Sequence, residues 1–191
     1  IDDVTLSNIS LRGGYHGLYL EEATNVTLIQ LDVQANLNDG LFADSMSSDL
    51  TLSAGAYHDN GNNGVHSESS VTIDGVAAYN NVEYGLYVYH SWTTQETDRW
   101  AVLSNNTVYG NSDTGIRAQS WSDASSGLVI YVTDNEVYNN GDRELYLSAG
   151  TPVDGWFGLV ASANSVSSST DSYYESTYVY NVLLTGNDIH G

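Results

Sequence analysis

Short segments in which apolar and polar residues alternate recur along this chain. Val26-Thr27-Leu28, Leu50-Thr51-Leu52 and Val71-Thr72-Ile73 are three of them. A period of two is the mark of a β-strand, whereas no stretch of the chain has the apolar stripe of an amphipathic helix. The pattern therefore predicts an all-β protein of short strands joined by polar turns.

The strands belong to a repeat with spacings of 21 to 30 residues. Its anchor is a glycine before an aliphatic residue, at Gly17-Leu18, Gly40-Leu41, Gly64-Val65, Gly85-Leu86 and Gly115-Ile116, with a sixth copy at Glu144-Leu145. Four residues before these anchors stand Gly13, Asn36, Asn60, Asn81, Asn111 and Asn140. Asparagine amides stacked in register explain this column in a solenoid, and a β-sandwich does not predict it. The sequence thus predicts one domain over residues 1–191, a single right-handed parallel β-helix (solenoid) of about eight rungs.

Alternation also predicts which side chains point out of the strand that follows each anchor. The inward columns are Leu18, Leu41, Val65, Leu86, Ile116 and Leu145, then Leu20, Ala43, Ser67, Val88, Ala118 and Leu147. The first outward column is Tyr19, Phe42, His66, Tyr87, Arg117 and Tyr146. The second outward column is Glu21, Asp44, Glu68, Tyr89, Gln119 and Ser148.

In the C-terminal half the repeat lengthens after this same strand. The insertions fall at residues 91–100, 120–127, 148–157 and 167–176, so we expect all four loops to leave one edge of one face. Every tryptophan lies in or beside the first three loops: Trp92, Trp100, Trp121 and Trp156. Long loops on a rigid scaffold often form binding sites, although these tryptophans could equally serve to pin the loops to the body.

The amino-acid composition of the chain narrows the range of its possible binding partners. The chain has 24 acidic residues, four arginines and no lysine, which gives a formal net charge of −20. Such a surface argues against nucleic acid, and it would also repel a polyanionic substrate. No apolar run approaches the ~18 residues of a membrane span, so no membrane insertion is predicted. We expect the chain to be a segment of a longer protein and to be able to assemble end to end. Its sequons at Asn8, Asn25 and Asn105 permit glycosylation.

A column of aromatic side chains beside a column of acidic ones is typical of a surface that binds carbohydrate. Sugar rings stack on aromatic rings, and carboxylates and amides accept hydrogen bonds from sugar hydroxyls. Strand propensity and solubility alone offer a second explanation of the same two columns. The candidate substrate-binding residues are Tyr19, Phe42, Tyr87, Tyr89, Trp92, Trp121 and Gln119.

Glu21, Asp44 and Glu68 stand on consecutive predicted rungs. Carboxylates about 5 Å apart can cleave a glycosidic bond, one as acid and one as nucleophile. The predicted catalytic residues are Asp44 and Glu68, with His66 as a proton shuttle and Arg117 on the same face. A calcium ion bridging Glu21, Asp44 and Glu68 explains the same acids equally well, and no organic cofactor is predicted.

The units at residues 105–111, running into Gly115-Ile116-Arg117, and at residues 134–140 resemble the repeats of pectate-lyase-type β-helices. They are most similar to the catalytic modules of mannuronan C5-epimerases and related alginate-acting proteins. The resemblance implies an extracellular protein that works on polysaccharide. The Tyr-Gly-X-Asp-Pro-His motif of those epimerases is missing, because the only proline is Pro152, in Thr151-Pro152-Val153-Asp154.

Two functions follow as hypotheses. In the first, the outward face binds a polysaccharide, and the protein is an enzyme of glycoside hydrolase, polysaccharide lyase or C5-epimerase type. In the second, the chain is a non-catalytic structural or adhesive segment of a large cell-surface protein or filament. Both place it outside the cell or on its surface.

Overall fold

The computed structural model describes residues 1–90, 100–120, 129–149, 159–167 and 182–190. These residues form twenty strands and no helix: β1 (Asp2–Ser7), β2 (Ser10–Arg12), β3 (Leu18–Leu20), β4 (Thr24–Gln34), β5 (Leu41–Ala43), β6 (Leu50–His58), β7 (Val65–Ser67), β8 (Val71–Asp74), β9 (Ala77–Tyr79), β10 (Leu86–His90), β11 (Trp100–Ser104), β12 (Thr107–Tyr109), β13 (Ile116–Ser120), β14 (Val129–Thr133), β15 (Glu136–Tyr138), β16 (Leu145–Ala149), β17 (Leu159–Ser162), β18 (Ser165–Ser167), β19 (Val182–Thr185) and β20 (Asp188–His190). Accordingly, the described part contains no helix that could cross a membrane.

Each strand pairs in parallel with the equivalent strand of a neighbouring rung. One sheet has six strands, in the order β16-β13-β10-β7-β5-β3. The other fourteen strands form two further faces, which β4 and β6 connect by running across both. The first of these faces contains eight rungs, in β1, β4, β6, β8, β11, β14, β17 and β19. The predicted parallel solenoid of about eight rungs is therefore confirmed.

The core lies along the axis of the rod, where the predicted inward columns meet. Eleven of those twelve side chains are buried, and Leu18, on the first rung of its sheet, is partly buried. The other two faces contribute further apolar columns, such as Leu28, Leu52 and Ile73. The Tyr57 hydroxyl is buried beside these apolar columns without a hydrogen-bond partner, and burial raises the pKa of this phenol.

The predicted asparagine column is a hydrogen-bonded ladder inside the rod. Each Nδ2 donates to the Oδ1 of the next asparagine: Asn36 to Asn60 at 2.9 Å, Asn60 to Asn81 at 3.1 Å, Asn81 to Asn111 at 2.9 Å and Asn111 to Asn140 at 2.9 Å. Glu144 ends the ladder by accepting from Asn140. Gly14, rather than Gly13, takes the first position, because its N–H donates to Asn36 Oδ1 at 3.0 Å.

A second ladder, which the sequence reasoning missed, runs along another corner. Its members are Asn106, Asn135, Asn164 and Asn187, joined by Nδ2 to Oδ1 bonds of 2.9 Å. The residue before each of them has a positive φ, as in Asn105 at 55° and Asp134 at 57°. Asparagine tolerates this left-handed conformation better than most residues do. The sequons at Asn8, Asn25 and Asn105, all at φ 55°, therefore have a conformational explanation independent of glycosylation.

The predicted loops fall largely outside the described residues. Trp92, Trp121 and Trp156 lie outside the described residues, and their roles stay predictions. Trp100 is described: it begins β11 and is exposed on a different face from the six-stranded sheet.

Candidate functional site

The outer surface of the six-stranded sheet, here called the aromatic face, carries the predicted first outward column. Strand register aligns Tyr19 with Phe42, Phe42 with His66, His66 with Tyr87, Tyr87 with Arg117, and Arg117 with Tyr146. The predicted order is therefore confirmed over six rungs. Tyr19 is 48% exposed and the other five side chains are half-buried, so each of these five is partly covered by its neighbours.

The rings of this column contact each other along the rod. Tyr19 and Phe42 stack at 5.3 Å with an interplanar angle of 14°, and His66 and Tyr87 stack at 4.5 Å and 28°. Phe42 meets His66 edge to face at 4.9 Å. Neighbouring rings thus occupy much of the area that a sugar ring would need for stacking. A glycan lying along this face would meet mainly ring edges and hydroxyls.

The second outward column departs from its prediction. Glu21 is exposed, but Asp44 Oδ1 accepts from its own turn, from Met46 N at 3.2 Å and Ser47 Oγ at 2.8 Å. Gln119 and Ser148 occupy outward strand positions and yet are buried. Tyr89 is half-buried and tilted against Tyr87 at 6.2 Å.

These acids do not assemble into a metal site. Among the described residues, no group of three or more His, Asp or Glu side chains is placed to hold a metal ion. Asp44 uses its carboxylate to cap a turn, and Glu68 Oε1 lies 3.7 Å from His66 Nε2. Glu21, Asp44 and Glu68 form no such group, and a calcium ion bridging them stays a prediction.

A polar column that the sequence reasoning missed lies just before the anchors and alongside the aromatic one. It consists of His16, Asp39, Asn63, Tyr84, Thr114 and Arg143. The Asp39 carboxylate is buried, accepts from Asn63 Nδ2 at 2.7 Å and lies 3.4 Å from His16 Nδ1. Each member directly precedes the glycine, or Glu144, of the anchor, so its constant place in the repeat was the available signal.

Within the aromatic column, burial lowers the pKa of His66 to about 4. Nearby Asp39 raises the pKa and His16 lowers it, both by smaller amounts. The imidazole is therefore neutral at pH 7, with its Nε2 buried and without a hydrogen-bond partner. A neutral imidazole can accept a proton or a hydrogen bond, but it is not a general acid at that pH.

A cleft of about 380 Å³ opens at the C-terminal end of the aromatic face. Its lining residues are Tyr84, Asp113, Thr114, Arg117, Asp142, Arg143 and Tyr146. Tyr84 contributes a half-buried hydroxyl, and burial raises the pKa of this phenol although Arg117 lowers it. Beside the cleft, burial raises the pKa of Tyr87 to about 12, so both phenols remain protonated donors at neutral pH.

Arg117 is the central cation of this cleft. Its Cζ lies 5.0 Å from the ring centre of Tyr84, 5.2 Å from that of Tyr87 and 5.1 Å from that of Tyr146. Its Nε donates to Gln119 Oε1 at 2.9 Å, and Nη1 donates to the Tyr84 hydroxyl. Within the described part of the chain no carboxylate lies in ion-pair distance of Arg117, whereas Arg143 pairs with Asp142 at 2.7 Å.

The protein is therefore a parallel β-helix that carries a candidate binding face, with a cleft, on the side of the rod. The profile of the family described as "Right handed beta helix region" matches residues 1–98, just over half of the chain. The protein belongs to the right-handed β-helix family. No curated protein sequence matches the chain significantly.

Two solved structures are similar to it, and both are A-modules of mannuronan C-5 epimerases from Azotobacter vinelandii. The AlgE4 A-module has a TM-score of 0.76 and 18% identity, over 98% of this chain and 54% of its own. The AlgE6 A-module has a TM-score of 0.66 and 15% identity, over 100% of this chain and 58% of its own. The chain thus spans little more than half of either structure, and at such identities the likeness establishes the fold.

Proposed function

We propose that this protein binds an acidic polysaccharide along the aromatic face and acts on it as a hydrolase, lyase or epimerase. Arg117 is the observation that carries the proposal. Its guanidinium lies among three tyrosine rings with no carboxylate partner among the described residues. The planar fork of a guanidinium matches a carboxylate, and the tyrosines beside it offer hydroxyls and ring edges to a sugar. A uronate residue presents a carboxylate and a sugar ring together.

Two further observations support the proposal. The similar solved structures are named as mannuronan C-5 epimerases, whose named substrate is a polysaccharide. The formal net charge of −20 means that most of the surface repels an acidic polymer, so its binding depends on the cations of the cleft. The proposal places the protein outside the cell or on its surface, where such polymers accumulate.

Neutralising Arg117 should weaken the binding of acidic glycans selectively. We expect Arg117→Gln to reduce affinity for uronate oligosaccharides at least tenfold, because a charge-assisted hydrogen bond contributes about 1.5–3 kcal/mol. Isothermal titration calorimetry with uronate oligosaccharides and with neutral ones of equal length measures this difference. Arg12→Gln is the matched control, since Arg12 is an exposed arginine on another face.

The outcomes of this titration are distinct. Equal loss of affinity in both arginine variants would mean that net charge alone explains the effect, and it would contradict a role for the cleft in binding. Binding of neutral glycans alone would keep a glycan-binding face but reject the acidic substrate. If no glycan binds at all, the non-catalytic structural or adhesive segment is the remaining interpretation.

Chemistry on the bound glycan is the second part of the proposal. The neutral His66 is suited to accept a proton, and Glu68 lies 3.7 Å from its Nε2. Asp44 is less suited, because its Oδ1 already caps a turn. Assays for reducing ends, unsaturated products and C5 inversion, with Glu68→Gln as the control, separate hydrolase, lyase and epimerase. Binding without any of these products would limit the function to glycan binding.

Calcium stays a prediction that rests on charge alone, because the described residues assemble no ligand set for it. Twenty-four acidic side chains repel each other, and a divalent cation relieves that repulsion. We expect the melting temperature to rise with millimolar calcium beyond the rise that sodium gives at matched ionic strength. Equal effects of the two ions would leave only ordinary screening.

A further inference from the structure

Three tyrosines form a second aromatic stack, far from the aromatic face in the strand order. Tyr79, Tyr109 and Tyr138 occupy equivalent positions in β9, β12 and β15 and are here called the tyrosine ladder. The rings of Tyr79 and Tyr109 lie 5.0 Å apart at 6°, and those of Tyr109 and Tyr138 lie 5.1 Å apart at 3°. All three side chains are half-buried, so solvent reaches part of each phenol.

The N-terminal end of the tyrosine ladder is held in place. His58 stacks on Tyr79 at 4.5 Å and 8°. Its Nδ1 lies 2.6 Å from Asp59 Oδ2, and its Nε2 lies 3.0 Å from Asp32 Oδ1. Two carboxylates thus fix the imidazole, and the imidazole in turn covers one face of Tyr79. The first tyrosine of the ladder therefore packs on both sides of its ring.

The other close tyrosine pairs of the described residues have a different geometry. Tyr84 and Tyr87 meet at 5.3 Å but at 66°, and Tyr87 and Tyr89 are 6.2 Å apart at 32°. In the tyrosine ladder the rings are nearly parallel, their centres lie 5.0 and 5.1 Å apart, and the residues are in strand register. Two tyrosyl radicals couple through the ring carbons ortho to their hydroxyls, and at this spacing rotation of neighbouring side chains can bring those carbons together.

We propose that the tyrosine ladder is a site of oxidative cross-linking, where a peroxidase using hydrogen peroxide joins neighbouring rungs through dityrosine. Each of two phenols loses one electron and its phenolic proton. Their ortho carbons then form a C–C bond, and each ring regains aromaticity by moving the displaced ortho hydrogen to its oxygen. Hydrogen peroxide takes up the two electrons and two protons and becomes two molecules of water.

This cross-link would give the rod a covalent tie that its sequence otherwise lacks. The chain has no cysteine, so disulfide bonds cannot connect its rungs. A bond between Tyr79 and Tyr109, or between Tyr109 and Tyr138, closes a loop of one whole rung. Closing such a loop restricts the unfolded chain and prevents the two rungs from separating. The inference is independent of glycan binding, since it concerns another face.

The positions of the arginines make the product easy to map. Trypsin cleaves after Arg12, Arg99 and Arg117, and after Arg143, so the three tyrosines fall in three separate peptides: residues 13–99, 100–117 and 118–143. The whole chain, diluted to keep it monomeric, is treated with peroxidase and hydrogen peroxide. We expect dityrosine fluorescence, a mass loss of two hydrogens for each cross-link, and peptide 100–117 joined to one of its two neighbours.

Three variants test the assignment. Tyr109→Phe keeps a stacking ring and should abolish both cross-links, whereas Tyr138→Phe should leave only the link between Tyr79 and Tyr109. Tyr131→Phe, on an exposed tyrosine of another face, is the matched control and should leave the yield unchanged. Cross-linking at the original level in Tyr109→Phe, or joined peptides that exclude residues 100–117, would overturn the proposal. So would the lack of any dityrosine under conditions that couple a free tyrosine derivative.

Discussion

Replacing Asn111 by alanine should remove at least about 3 kcal/mol from the free energy of unfolding. Asn111 Oδ1 accepts from the backbone N–H of Asn81 at 3.0 Å and from Asn81 Nδ2 at 2.9 Å. Its Nδ2 donates to Asn140 Oδ1 at 2.9 Å and to the carbonyl of Ala78 at 3.1 Å. Alanine replaces none of these bonds, and each buried group left without a partner costs about 1–3 kcal/mol.

Equilibrium unfolding in urea measures this loss as a lower midpoint. Ser112→Ala is the control, because Ser112 is the adjacent residue and its side chain is exposed. We expect the control to stay within about 0.5 kcal/mol of the parent chain. Similar midpoints for Asn111→Ala and Ser112→Ala would mean that the ladder contributes little, and that the fold depends on its apolar columns alone.

The first asparagine ladder could be predicted because it keeps a constant distance from a glycine anchor. The second could not be found in that way. The residues that precede Asn106, Asn135, Asn164 and Asn187 are different in kind, namely Asn105, Asp134, Ala163 and Gly186. What they share is a left-handed backbone, which is a property of the corner and not of one residue type. A search for asparagine directly before each alternating segment would have revealed the column.

The aromatic face was predictable for a related reason. Strand alternation alone decides that Tyr87 points outward while Leu86 and Val88 point inward, and the structure agrees. Alternation says nothing about what lies beyond a strand end, so it could not anticipate that Asp44 caps a turn. It also says nothing about what covers an outward strand residue, so it could not anticipate that Gln119 is buried. For outward residues the period of two gives the direction of a side chain but not its environment.

The missed polar column has its own physical cause. His16 and Asp39 lie in turns, where the chain has no two-residue period to read. Their contact joins residues from successive rungs, and only the register of the solenoid brings them together. The same holds for the cleft, because Tyr84, Arg117 and Tyr146 come from three different rungs. Solenoid sites of this kind become visible once turn positions are aligned as carefully as strand positions.

Shortening Leu86 to alanine should destabilise the protein by about 2–5 kcal/mol, because the change leaves a cavity in the core. Leu86 is fully buried and pairs in register with Val65 and Ile116. Tyr87→Phe, one residue further along β10, is the matched control. Its hydroxyl makes only a long bond of 3.4 Å to Gln119 Oε1, so its removal should cost less than about 0.5 kcal/mol.

Urea unfolding of the two variants, side by side with the parent chain, measures both effects. The comparison tests the register itself, because a slip of one residue would exchange the inward and outward columns. Leu86 would then lie on the surface, and its replacement would be tolerated. A stable Leu86→Ala variant would thus contradict the assignment of every residue on the aromatic face. A destabilised Leu86→Ala beside an unchanged Tyr87→Phe would support the placement of Arg117, His66 and the rings between them along one accessible row.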